Sequence, residues 1–238
     1  MKTSIRGLVL IVLILPLLAC GGAKLVANGE PIEQQVLVDQ ARIVVDSFAA
    51  DPHLDWDWFG KHLKDAKGVL IVPELYKGAC LLGGAGGRGV LLVRNQAIGK
   101  WVGPAFYTMG SVSLGLQIGG QKSEAVILVM TQKGLQSLYT TSIKIGGELS
   151  FAFGPYGAGG QGATAPSLNV DYICYARSMG AFAGLSLDGA VIRENYDWNK
   201  AYYGKPVRPV DIIVAHNAVN SNSAKLRAAV DRASLAVQ

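Results

Sequence analysis

Apolar positions along this chain follow two different periods. Between residues 31 and 50, Val36, Ile43, Val44 and Phe48 recur at near-helical spacing. Pro31 stands where helices prefer to begin, and Asp51-Pro52 ends the run, so a first helix is predicted there. Residues 54–66 repeat the signal over a shorter span. At 100° per residue Trp56, Phe59, Leu63 and Ala66 share one face, Asp57, Lys61 and Lys64 lie opposite, and Trp58 and His62 sit on the flank. From Lys67 the period shortens to apolar runs punctuated by glycine. Residues 68–72, 79–82, 90–94, 105–118, 125–130, 143–153, 170–176 and 181–192 suit strands, the longer ones kinked or doubled at their glycines. A short helix is predicted over 131–140. A last one covers 224–235, with Ser223 as its cap and Leu226, Ala229, Val230 and Ala233 as its apolar stripe. The order of elements predicts an α+β domain: a bent, mainly antiparallel glycine-rich sheet, open or barrel-like, with N- and C-terminal helices.

The first residues belong to targeting. Lys2 and Arg6 form a positive segment, an apolar run follows over residues 8–18, and Leu17-Leu18-Ala19-Cys20 closes it with a small residue before a cysteine. This resembles the bacterial lipoprotein signal, in which the chain is cut before the cysteine and the cysteine is acylated. The apolar run is shorter than the ~18–20 residues a membrane-spanning helix needs. The expected organisation is a signal peptide over 1–19, a tether over 20–30 beginning with lipidated Cys20, and one domain over 31–238. Gly21 lacks the aspartate that usually retains such proteins at the inner membrane. The expected location is therefore the bacterial outer membrane, facing the periplasm.

Composition narrows the function classes. Thirty of 238 residues are glycine and 16% are charged, against typical values of about 7% and about 25%. With no G-X-Y period and no low-complexity run, the chain reads as globular and β-rich rather than collagen-like or disordered. Loss of the leader removes the cations Lys2 and Arg6 and lowers the formal charge from +5 to +3. That bias suits an anionic lipid surface. Without a basic cluster interleaved with aromatics, it does not point to nucleic acid.

The stretch Gly83-Gly84-Ala85-Gly86-Gly87-Arg88-Gly89 contains a literal G-x-G-x-x-G, and residues 157–162 contain another. A dinucleotide site needs such glycines to end a strand and open a helix whose first amides hold the pyrophosphate. Here Gly89 leads into Val90-Leu91-Leu92-Val93, a strand pattern, and Gly162 leads to Pro166, so no helix N-terminus is offered. Two readings of the first run stay open. Its glycines let the backbone turn with φ > 0 and form an anion-binding nest beside the Arg88 fork, or they form a glycine-rich bulged hairpin with Arg88 solvated.

His53, His62 and His216 show no metal-ligand spacing. Residues 184–188 approach a nucleophile elbow at Ser186 but end in Asp188 where glycine belongs. No cofactor, metal or catalytic residue is expected, and the chain is read as a non-enzyme. Cys80 and Cys174 lie in apolar strand-like runs, where cysteine usually packs as a small hydrophobe; in an oxidising compartment they are also free to pair.

Lys67-Gly68-Val69-Leu70-Ile71-Val72-Pro73, Gly78, the glycine run with its following Val90-Leu91-Leu92-Val93-Arg94, Trp101-Val102-Gly103-Pro104-Ala105-Phe106-Tyr107, Gly115-Leu116-Gln117-Ile118-Gly119-Gly120 and Tyr202-Tyr203-Gly204 occur in that order. Together they resemble the SYLF domain, the yeast actin-binding-type domain, over residues 60–214. The resemblance implies binding of membrane phospholipids, phosphoinositides in eukaryotic members, and actin filaments in some yeast members.

A non-enzymatic phospholipid-binding module is therefore expected, with an envelope protein-interaction scaffold as the alternative. The expected partner is anionic phospholipid, met by Arg88, Lys61, Lys64, Lys67, Lys77 and Trp58. The stripe Trp56, Phe59 and Leu63 either packs in the core or lies among headgroups.

Overall fold

The computed structural model describes residues 32–54, 56–79, 82–114, 119–140, 142–145, 147, 149–154, 170–179 and 189–235. Two helices, α1 (Glu33–Ala49) and α2 (Trp56–Asp65), precede the long strands β1 (Gly68–Ala79), β2 (Leu82–Asn95), β3 (Lys100–Leu114) and β4 (Gly119–Val129). Helix α3 (Gln132–Thr140) and strands β5 (Ile143–Lys144), β6 (Phe151–Phe153), β7 (Tyr172–Met179) and β8 (Val191–Glu194) follow. The chain ends with α4 (Tyr196–Tyr203), α5 (Pro209–Ile213) and α6 (Ala224–Leu235).

The strands form one sheet in the order β5-β8-β3-β2-β1-β4-β7-β6, antiparallel at every junction except β6–β7. It curls into a half-barrel, so the α+β expectation with flanking helices holds. Both faces are covered. On one, Val69, Ile71, Val90, Leu92, Phe106, Val126 and Leu128 pack under α1, α2, α4 and α6. On the other, Leu70, Val72, Leu91, Val93, Tyr107, Ile127 and Val129 pack under α3 and α5. Burial on both sides is why the strands read as continuous apolar runs instead of alternating ones.

The helix stripe of α2 is core: Phe59, Leu63 and Ala66 are buried, and Phe59 meets Tyr175 edge to face at 4.7 Å. Thr131 caps α3, its Oγ1 accepting from Gly134 N at 3.0 Å while donating to Asp171.

Of the two readings of the glycine run, the structure favours the bulged antiparallel pair, with the bulge in the partner strand. Residues 83–89 lie inside β2 in extended conformation, and none has a positive φ. The tight turn and the backbone nest are thereby excluded; the strand passes straight through. The irregularity sits on the neighbour. Pro73 cannot donate to a ladder, and β1 changes register around it against both β2 and β4. That shift presses β1 carbonyls beneath β2: a Cβ on Gly87 would collide with the Glu74 oxygen, and one on Gly89 would come within 2.7 Å of the Ile71 oxygen. Gly103, at φ 116, faces the Leu91 oxygen in the same way. Glycine here permits close approach of strands, not a loop.

Candidate functional site

Alternation along β2 assigns Arg88 to the face of Val90 and Leu92, the face that α1 and α4 cover further along the sheet. Arg88 is exposed, with its guanidinium carbon 4.5 Å from the centroid of the Trp198 ring on α4. Opposite it in the ladder stands Glu74, whose carboxylate is already occupied by Lys122 Nζ at 2.6 Å and the Tyr76 hydroxyl at 2.9 Å. The hydrogen bond from Lys122 holds Glu74 below the usual carboxylate range, against the opposing effect of burial. Gly84 and Gly86 leave the same face bare beside Tyr76, which is 54% exposed. Arg88 therefore has an aromatic support and no carboxylate partner among the described residues.

A second group of cations gathers where β1 begins. Lys61 and Lys64 are exposed on α2, three residues apart and so on one side of the helix. Arg94 Nη1 donates to the Lys64 carbonyl at 2.7 Å, and Arg94 N donates to the Lys67 carbonyl at 2.8 Å. Lys64, Lys67 and Arg94 are thus brought together, and Lys100 follows across the β2–β3 hairpin, paired in register with Asn95. At ~3.3 Å per residue, Arg88 lies roughly 20 Å and Lys77 roughly 30 Å from Lys67 along the strand. Lys77 follows the alternation of Leu75 and belongs to the opposite face from Arg88. The five cations singled out in the sequence do not form one surface. Trp58 lies within α2, and Cys20, Cys80 and Ser186 lie outside the described residues.

Several carboxylates, by contrast, are drawn into ion pairs within the fold. Arg177 on β7 binds Glu124 of β4, Asp51 at 3.0 Å and Ser47 Oγ at 2.7 Å, and its guanidinium carbon lies 4.8 Å from the Phe48 ring. This cluster clamps the end of α1 to the sheet. Asp46 pairs with Arg42 and Arg232. A cavity of about 150 Å³ is bordered by Tyr139, Ser142, Glu194 and Arg208, but Arg208 Nη2 already holds Glu194 Oε1 at 2.6 Å. Cys174 is a free, fully buried thiol, and burial pushes its pKa well above the ordinary value.

Periodicity missed Arg94, Lys100, Arg177 and Trp198. For the first two a signal existed: strand alternation and a hairpin over 95–100 put them next to Lys67. Nothing local marks Trp198 or Arg177.

A profile of the Ysc84 family, described as Las17-binding protein actin regulator, matches residues 110–233. The chain belongs to the Ysc84 family. This is the family of the SYLF resemblance. Among its relatives, the Ysc84 domain of this chain is similar to an SH3 domain-containing protein of Schizosaccharomyces pombe, 33% identical over 59% of this chain and 33% of that protein. It is also similar to SH3 domain-containing YSC84-like protein 1 of Homo sapiens, at 30% over 62% and 43%. LAS seventeen-binding protein 3 of Saccharomyces cerevisiae matches at 32% over 60% and 31%. The chain thus spans less than half the length of these relatives.

Proposed function

We propose that this Ysc84 domain is a non-enzymatic module that binds anionic phospholipid headgroups, carried by an envelope lipoprotein anchored through acylated Cys20 at the outer membrane and facing the periplasm. The observation that carries the reading is an asymmetry of charge. Glu74, Asp46, Asp51, Glu124 and Glu194 are each held by an arginine or lysine, whereas Lys61, Lys64, Lys67, Arg88, Arg94 and Lys100 have no carboxylate within ion-pair distance among the described residues. Glu33, Asp39, Asp65 and Asp197 are exposed acids outside any of these ion pairs too, but among the described residues the unpaired cations outnumber them, and each such cation close to an anionic leaflet contributes ~1 kcal/mol. Acyl chains supply most of the anchoring, at ~0.8 kcal/mol per buried CH₂, so weak headgroup affinity suffices to orient the domain.

Two measurements test this. Metabolic palmitate labelling of the full chain is expected to disappear with Cys20→Ala. Co-flotation is expected with vesicles containing phosphatidylglycerol and not with phosphatidylcholine alone; equal behaviour on both would refute headgroup recognition.

A protein partner is the second reading, favoured by the relatives' names, which speak of Las17 binding and SH3 domains. The bare glycine face around Tyr76, bordered by Arg88 and Lys122, is the surface that would serve it. Crosslinking in cells to one dominant protein through a probe at Tyr76 would favour this reading over the lipid one.

A further inference from the structure

We infer that the β2–β3 hairpin is a membrane-insertion tip: Ile98 enters the boundary between headgroups and acyl chains of an anionic bilayer while Lys64, Lys67, Arg94 and Lys100 lie at headgroup level around it. The inference rests on the lipid reading above and assigns it to one end of the sheet.

The hairpin is built to hold an apolar side chain outward. Asn95 Oδ1 accepts from Ala97 N at 2.9 Å and from Ile98 N at 3.3 Å, and Asn95 O accepts from Gly99 N at 2.8 Å. Gly99 takes the left-handed conformation that closes the turn, at φ 65. Positions in such a turn usually carry polar residues or glycine, yet Ile98 is there and is 60% exposed. Asn95 Nδ2 also lies 2.9 Å from His216 Nε2, which ties the hairpin to the segment after α5. That segment begins with Val214, 56% exposed. The apolar tip is therefore fixed by the Asn95 side chain, which holds the turn amides and meets His216.

The cations around it come from three elements. Arg94 and Lys100 flank the turn in β2 and β3, and Arg94 ties in Lys64 and Lys67 through the two carbonyls it binds. Among the described residues, acids at this end include Asp65 on α2 and Asp231 on α6, which borders the same cavity as Lys100; neither is within ion-pair distance of the four. An isoleucine exposed at a turn flanked by long basic side chains matches a bilayer surface, where stems lie along apolar material and charges reach the headgroups. A soluble protein partner would need a pocket to receive a projecting tip. A leaflet receives it anywhere.

The experiment uses the full chain reconstituted into vesicles of phosphatidylcholine, with or without phosphatidylglycerol. In the Ile98→Trp chain, brominated lipid is expected to quench fluorescence beyond that of the parent when phosphatidylglycerol is present, and much less when it is absent. Lys64→Gln with Lys100→Gln is expected to weaken that insertion by about five-fold per charge removed. In the unmodified chain, amide exchange over residues 95–100 is expected to slow on anionic vesicles. No added quenching, or protection at Ile43 of α1 or at the Tyr76 face with none at 95–100, overturns the tip while leaving lipid binding in place. No difference between the two vesicle types at any segment overturns both. Protection of 95–100 that requires an added soluble protein and not lipid overturns the tip in favour of a protein partner.

Discussion

The Arg88 guanidinium carbon stands 4.5 Å from the centroid of the Trp198 ring, joining the glycine run of β2 to α4. An exposed cation over an indole face contributes about 0.5–1 kcal/mol. A double-mutant cycle with Arg88→Gln and Trp198→Leu in chemical unfolding is expected to return a coupling of about that size. A coupling near zero would mean that Arg88 is merely solvated. The cycle is needed because Trp198 also packs on Phe106, at 5.9 Å between ring centroids, so truncating it alone costs core contacts.

Within the glycine run, tolerance to a methyl group should alternate. Gly87→Ala drives its Cβ into the Glu74 carbonyl, and the backbone shift required is expected to cost about 1–3 kcal/mol or more. Gly86→Ala meets nothing nearer than the Met109 oxygen at 3.9 Å. It is expected to be neutral or stabilising by up to ~1 kcal/mol, since alanine restricts the unfolded chain. Thermal melts of the two variants decide it; equal losses would contradict the strand-packing account.

Arg177→Met removes the cation shared by Glu124 and Asp51, whose side chains are only 18% and 9% exposed. Leaving such acids without their partner costs about 3–5 kcal/mol when fully buried. The low end, about 3 kcal/mol, is expected here. Faster amide exchange in the last turn of α1 should accompany it, because the cluster is what ties that turn to β4 and β7.

Asp171 links the start of α3 to Ser150. Burial is the largest single influence on its carboxyl and acts upward, but hydrogen bonds from Thr131 and Ser150, with the charge of Lys133, together hold it below the ordinary aspartate value of 3.8. A depressed folded pKa means that this contribution to stability is complete above the unfolded value and disappears as pH falls through the lower folded one. The expected loss therefore begins below about pH 4. Asp171→Asn should flatten stability against pH in that range. It should also cost about 1–3 kcal/mol at neutral pH, where an amide donor would face groups that need an acceptor. Urea unfolding across pH checks both.

Much of the architecture was open to local reading. The helices came within two residues of α1, α2 and α6, and Phe59, Leu63 and Ala66 were already on one face. The pattern after Gly89 already excluded a dinucleotide site, because period and residue type near a strand are set by what each side of that strand must bury. Strands β1, β2 and β4 were read as too short, whereas the run read over 143–153 holds only the short β5 and β6. Glycine weakens an isolated strand, and only neighbours on both sides, β2 and β4 around β1 or β1 and β3 around β2, supply the ladder that carries the backbone through Gly83–Gly89.

What the amino-acid order determined by itself is the set of amphipathic and apolar segments and a surplus of cations. Tertiary structure decided which of the sequence-distant cations meet. Lys64 and Lys67 join Arg94 and Lys100 beside Ile98, while Arg88 leans on Trp198 and Lys77 turns to the other face. The reason is register: strand pairing sets which side chains share a surface, and no short window along the chain contains Lys67 with Arg94 or Arg88 with Trp198.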